Sequence, residues 1–427
     1  MRRMRWDVLP GSDPLLSTCF AVSLVGAVAG VPLILFAFFW KLQHGTAGWT
    51  YMPAFGHLMA LLWLLLISTA GLAVIQEMCA RMGAVTGKGL SDLIRERFGV
   101  RWTIVAMLAL LVANGINVAA EFAGIAASLR LLGVPPIVSV PVAGLAIWAL
   151  VVFFTYRVVE RTLFVLLLAF LAYPLRAVII GPDWGKVAEG LTIPSLPPEQ
   201  AALLAALALV GTTITPYMQF YIQSSIVDKG IDRDRYRFVR LDVLVGAVLT
   251  GLSGLFIVVV AGAVLFPSGV VVGTAADAAA ALRPLAGAQA ELLFGMGLFG
   301  ASMLAALVMP LSTSYAICEA FGWESGISHD FGDAPVFMGL FTLLLVAGGA
   351  FVVLFPEDLL IELILVSQAV QGLLLPVVLV FILKLAGDRA LMGDAANGPV
   401  ARVLGWGMAA LASALSVLYV LAGVLGL

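Results

Sequence analysis

Apolar residues run along this chain in long, nearly unbroken blocks, separated by short stretches where Lys, Arg, Asp, Glu, Gly and Pro collect. Eleven blocks reach the length of about 20 residues that a helix needs to cross the hydrocarbon core of a bilayer. They fall near 15–40, 58–76, 102–129, 133–154, 162–181, 201–227, 242–267, 290–319, 335–355, 359–385 and 401–427. A membrane barrel would instead show short strands of alternating polarity, so the pattern predicts an all-α polytopic membrane protein.

The sixth span carries an internal fault. Residues 201–227 read AALLAALALVGTTITPYMQFYIQSSIV, and their middle holds GTTITP. Pro216 removes a backbone donor and clashes with the preceding turn, while Gly211 and the hydroxyls of Thr212, Thr213 and Thr215 ease unwinding and supply oxygens. Such a stretch is either a kink whose threonines bond back to the local backbone, or an unwound midpoint whose free carbonyls take the place of water around a cation. Span 1 holds GAVAGVP at Gly26 to Pro32, again near its middle. Two interrupted helices five spans apart favour the second reading. The expected organisation is one transmembrane domain over 1–427 with discontinuous helices 1 and 6 and an extra helix at 401–427.

Composition agrees with a membrane solvent: 62% of the 427 residues are hydrophobic and 11% charged, with a mean hydropathy of +1.10. The basic residues are unevenly placed. Arg2, Arg3 and Arg5, the five between spans 2 and 3, Arg157, Arg161, the five between spans 6 and 7, Lys384, Arg389 and Arg402 all fall on one side. The other side receives Lys41, Arg130, Lys186 and Arg283. This bias puts the N-terminus in the cytoplasm and, with an odd number of spans, the C-terminus outside. The first span follows basic residues as a signal peptide would, but it is long and lacks a small-residue cleavage site, so it reads as a retained helix.

A net charge of -2 gives no basis for a nucleic-acid partner. Cys19, Cys79 and Cys318 show no paired spacing and read as small buried hydrophobes. VTGKG lacks the full phosphate-loop spacing, no cofactor motif appears, and no nucleophile and base pair up in the polar loops, so an enzyme is not expected. Those loops, TGKGLSDLIRERFG and DKGIDRDRYRFVR, read as amphipathic cytoplasmic segments. Glu121, in the middle of span 3, faces protein or water and marks either a pathway or a protonated helix-to-helix hydrogen bond. Gln371 on span 10, with Gln368 one turn before it, either points into a cavity or packs helices together as a buried amide. Arg176 in span 5 pairs with Glu121 or snorkels outward.

Four collinear stretches carry a family likeness. LLWLLLISTAGLAVIQEMCARMGAVTGKGLSDLIRERFGVRWT, AEFAGIAASLRLLGVP, GTTITPYMQFYIQSSIVDKG and LVSQAVQGLLLPVVLVFILKLAGDRALMGD resemble helices 2, 3, 6 and 10 of the Nramp family of divalent metal transporters. They run from about Leu61 to Asp394, in order. The sixth-helix stretch is similar to the divergent branch that replaces Met-Pro-His with a hydroxyl residue, proline and an aromatic. The resemblance implies a carbonyl ligand at Thr212, a hydroxyl in place of the methionine ligand at Thr215, the proline at Pro216 and an aromatic in place of histidine at Tyr217. A hydroxyl for a thioether shifts preference toward harder, oxygen-loving ions. The family's third-helix proton-pathway aspartate falls on Val118, with Glu121 kept one turn on. Its first-helix acidic motif has no counterpart here, since Asp7 and Asp13 are the only acidic residues before Glu77.

The resemblance therefore implies a secondary transporter in the cell membrane that moves a divalent metal ion, Mn²⁺, Fe²⁺ or Mg²⁺, into the cytoplasm by alternating access. The resemblance also implies a division of the domain into inverted five-helix repeats at about 15–181 and 201–385. Thr212, Thr215, Pro216 and Tyr217 would form the substrate site, with Thr212 and Thr215 on the metal and Glu121 on the pathway. The family's glutamine ligand falls on Leu374, and Gln371, one turn before it, is the expected amide of the same cavity. The metal ion and membrane lipid are the expected partners, and no cofactor is required. The missing first-helix carboxylate keeps open another small solute on the same scaffold, or a non-transporting homologue.

Overall fold

The computed structural model describes residues 60–153, 177, 181–196, 200–268, 290–327, 331–354 and 360–425. These are helical with short connections, and no strand occurs among them. In chain order the helices are α1 (Leu62–Thr86), α2 (Leu90–Phe98), α3 (Val100–Arg130), α4 (Pro136–Phe153), α5 (Trp184–Thr192), α6 (Gln200–Thr213), α7 (Pro216–Asp228), α8 (Tyr236–Ser268), α9 (Ala290–Phe321), α10 (Pro335–Leu354), α11 (Leu360–Gly387), α12 (Arg389–Met392) and α13 (Pro399–Leu425). Among the described residues nine spans are long and apolar enough to cross a membrane, with α6 and α7 forming one of them. The spans expected at 15–40 and 162–181, including the break at Gly26 to Pro32 and Arg176, lie outside the described residues.

Burial sorts the helices into centre and rim. The α6–α7 span is 83% buried and α11 94%, whereas α4 and the described part of α8 are 33% buried. An apolar helix that turns large side chains such as Ile137, Leu145, Leu241 and Val248 outward is facing lipid, because no water-driven penalty falls on those groups in a bilayer. The interrupted helix and α11 pack on each other at the centre, α9 and α11 pack on α3, and α8 covers α1.

Small residues allow these approaches. A Cβ on Gly211 would stand 2.5 Å from the Gln368 carbonyl oxygen and 2.7 Å from Gly372 Cα, so α6 and α11 meet backbone to backbone. The same device recurs where Gly124 of α3 receives Ser302 of α9.

The basic edge of the bundle differs from the expected loop pattern in one respect. α1 continues to Thr86, so Glu77 and Arg81 are helical rather than in a connection. Their charges are tolerated there because they are paired. Arg81 Nε lies 3.2 Å from Glu77 Oε1, Arg81 also donates to Asn397 Oδ1 at 2.7 Å and to the Ala395 carbonyl, and the Tyr236 hydroxyl donates to Glu77. The amphipathic α2 buries Leu90, Leu93 and Ile94 against the bundle, and its Arg97 reaches Asp388 at 2.6 Å.

The α6–α11 contact generates a stability prediction. Gly211→Ala and Gly372→Ala should each lower stability by about 1–3 kcal/mol, the usual penalty for overpacking. Gly115→Ala, where an added Cβ meets nothing within 4 Å, should change little. Thermal unfolding of the purified variants in detergent measures this, and equal melting temperatures for all three would refute the contact.

Candidate functional site at the helix break

The helix stops where the sequence makes continuation hardest. α6 ends at Thr213 and α7 starts at Pro216, leaving Ile214 and Thr215 outside helix. Thr215 is extended, at φ -67 and ψ 131, and its side chain does not cap α7. Pro216 suits the first position of a helix because its fixed φ is helical and it has no N–H to leave unpaired. The same missing N–H denies the Thr212 carbonyl its usual donor four residues on. A free carbonyl at a helix C-terminus, facing the start of another helix, is thus written into the covalent structure.

The threonines divide their roles. Thr213 Oγ1 donates to the Leu209 carbonyl at 2.6 Å and is absorbed by its own helix. Thr212 is exposed, whereas Thr215 and Tyr217 are both only 8% exposed. α7 is fixed by Ser312 of α9, whose hydroxyl donates to the Tyr217 carbonyl at 2.7 Å, and by Gln219, whose amide reaches back to the Thr215 carbonyl at 3.3 Å.

Gln371 lies beside the break along the chain of α11, since its neighbour Gly372 is the residue seated on Gly211. Its side chain takes a different direction. Nε2 donates to Asn114 Oδ1 of α3 at 3.0 Å, and Asn114 Nδ2 donates to Thr313 Oγ1 of α9 at 2.8 Å. One turn away, Asn117 Oδ1 accepts from Ser367 at 3.0 Å and from Gln368 Nε2 at 3.1 Å. Gln371 Oε1, Gln368 Oε1 and Asn117 Nδ2 are buried without a hydrogen-bond partner. Glu121, farther along α3 and partly exposed, hydrogen-bonds to Ser302 and interacts electrostatically with Tyr217. The structure thus groups Thr212, Thr215, Pro216 and Tyr217 at the break, with Glu121 in electrostatic reach and Gln371 tied into an adjoining amide network.

That network contains residues the sequence reading did not select. Asn114 and Asn117 stand three apart, with Glu121 four further on, which lines one face of α3 with polar groups. That spacing was the available signal. Among the described residues no three His, Cys, Asp or Glu side chains come together to hold a metal ion. Apart from the Glu121 carboxylate, the described oxygens near the break are neutral dipoles.

The chain is similar to known proteins in sequence and in fold. The family described as Natural resistance-associated macrophage protein-like, Nramp, matches residues 54–422. The divalent metal cation transporter MntH of Ralstonia nicotianae is 30% identical over 379 residues, covering 81% of this chain and 80% of that protein. MntH 1 of Pseudomonas aeruginosa is 30% identical over 394 residues, covering 84% of each. The crystal structure of the Eremococcus coleocola manganese transporter superposes with a TM-score of 0.65 at 21% identity, covering 94% of this chain and 86% of that one.

The amide network predicts a coupled energetic effect. Asn114→Leu strands the Gln371 amide nitrogen and should cost on the order of 1–3 kcal/mol. Gln371→Leu should cost less, and the double variant should lose clearly less than the sum of the two, because both buried partners leave together. A double-mutant cycle on thermal stability reads this, and strict additivity would show that the bond contributes nothing.

Proposed function

Because the chain belongs to the Nramp family, whose members are membrane transporters and not enzymes, we propose that it carries a divalent metal ion, Mn²⁺, Fe²⁺ or Mg²⁺, into the cytoplasm by alternating access around the break between α6 and α7. The observation that carries this reading is the break itself. Pro216 leaves the Thr212 carbonyl without its helical donor, and Thr215 sits extended beside it with a hydroxyl that does not cap α7. Oxygens of this kind replace the water around a hard cation. The names of the bacterial relatives, divalent metal cation transporters, support the cargo class. In this reading the N-terminus is cytoplasmic and the C-terminus outside, as the basic residues suggest.

Ligand chemistry sets the expected selectivity. A hydroxyl at Thr215, where the family places a methionine, offers no soft atom, so harder ions gain relative to softer ones. A second reading, another small solute on the same scaffold, is favoured by one sequence fact: no carboxylate occurs between Asp13 and Glu77 to offset the charge of a divalent ion.

Titration calorimetry of the purified protein separates the two. Thr215→Met should raise Cd²⁺ competition against Mg²⁺, and Thr215→Val should weaken binding of both by roughly tenfold, the equivalent of about 1–2 kcal/mol for a lost ligand. If the threonines only serve a kink, both variants will match the parent and Pro216→Ala will change stability more than preference. Absence of metal binding by the parent would retire the metal in favour of another solute.

Proton coupling should be weak. Val118 stands where the family carries an aspartate, is fully buried and packs on Gly348 of α10. Tyr217 replaces a histidine with a phenol that does not titrate near neutrality. Vesicles reconstituted with the protein and loaded with a pH dye should show metal entering without matching acidification. Stoichiometric acidification would overturn this expectation.

A further inference from the structure

A cavity of about 560 Å³ opens at the turn joining α11 to α13, lined by Arg389, Gly393, Asp394, Asn397, Gly398 and Arg402 among others. Among the described residues neither guanidinium has an ion-pair partner, and both side chains are exposed. The neighbouring groups that would neutralise them are already engaged. Asp388 is held by Arg97 at 2.6 Å and caps Ala390 N at 2.9 Å, while Asn397 Oδ1 accepts from Arg81. Asp394 is the one carboxylate in the lining, so two positive charges face one negative. Gly398 leads into the first turn of α13, a 27-residue helix whose leading N–H groups and dipole add to the attraction for an anion.

The depth of the cavity decides which anion. α13 crosses the membrane from Pro399, so the cavity lies at the bilayer edge, on the side that carries most of the basic residues. Lipid phosphates lie at that depth and surround the cavity at a local concentration that a free phosphate does not reach.

We propose that this cavity binds the headgroup of an anionic phospholipid, with its phosphate between Arg389 and Arg402. Guanidinium forks suit phosphate oxygens, and basic pockets beside transmembrane helices recruit anionic lipids over zwitterionic ones. The site is independent of the metal-transport reading.

Native mass spectrometry of the full chain, with equal phosphatidylglycerol and phosphatidylcholine present, tests it. The parent should retain phosphatidylglycerol at least about tenfold over phosphatidylcholine, and Arg389→Gln with Arg402→Gln should bring the ratio near parity. Asp394→Asn should raise retention of phosphatidylglycerol by a few fold, a gain that misfolding cannot imitate. Inorganic phosphate at about 10 mM, roughly tenfold above a millimolar dissociation constant, should leave the bound lipid in place. Equal retention of the two lipids, indifference to the paired arginine change, or displacement by phosphate alone would each overturn the proposal, the last in favour of a soluble anion.

Discussion

The whole architecture answers to one constraint: inside a bilayer there is no water to satisfy a broken backbone, so an unwound segment survives only when protein surrounds it. Ile214 and Thr215 interrupt a span that is 83% buried, and that enclosure rests on glycine. Gly211 and Gly372 bring α6 and α11 together at backbone distance, and α11 in turn packs on α3. A side chain at either glycine would push the helices apart and admit lipid to the carbonyls that Pro216 leaves free. The break and the glycine seam are one feature seen from two helices.

A second consequence concerns charge. The core beside the break is built from neutral amides and hydroxyls: Asn114, Asn117, Thr313, Ser367, Gln368 and Gln371. Dipoles cost far less than ions to hold in a low-dielectric interior, but a half-satisfied amide still carries a penalty. Three of these polar atoms lack partners, so the network stores unmet hydrogen-bonding capacity within one helix packing layer of the break. Among the described residues, a cation reaching this region would meet carbonyl and hydroxyl oxygens and the carboxylate of Glu121, which is in electrostatic reach of Tyr217.

Much of this was legible in the chain because its causes are local. Span length follows from bilayer thickness, and the break follows from Gly, Thr and Pro in six residues, whose effect on a helix needs no tertiary partner. Less was legible where the cause lies on another helix. Nothing in GTTITP distinguishes Thr213, absorbed by the Leu209 carbonyl, from Thr215, left extended at the break. Asn114 and Asn117 gain their role from Thr313, Ser367 and Gln371, between 199 and 257 residues away. Hydropathy ended α1 too early for a similar reason. Glu77 and Arg81 lower the local score, yet pairing with each other, Tyr236 and Asn397 keeps them helical.

Charge and neutrality are therefore separated by depth. Ion pairs such as Glu77–Arg81, Lys88–Glu96 and Arg97–Asp388 occupy the basic edge, where water and headgroups can compensate a pair that parts. Beside the break the described polar groups are mostly hydrogen-bonded dipoles, with the Glu121 carboxylate as the exception. Under the proposed alternating access, parting a buried ion pair would be costly, since one stranded charge in the interior costs several kcal/mol. These three ion pairs lie on α1, on α2 with the turn before it, and on the turn after α11, so parting them is no step of a movement at the α6–α7 break. The break at Ile214 and Thr215 remains the point where the backbone itself must supply the polarity.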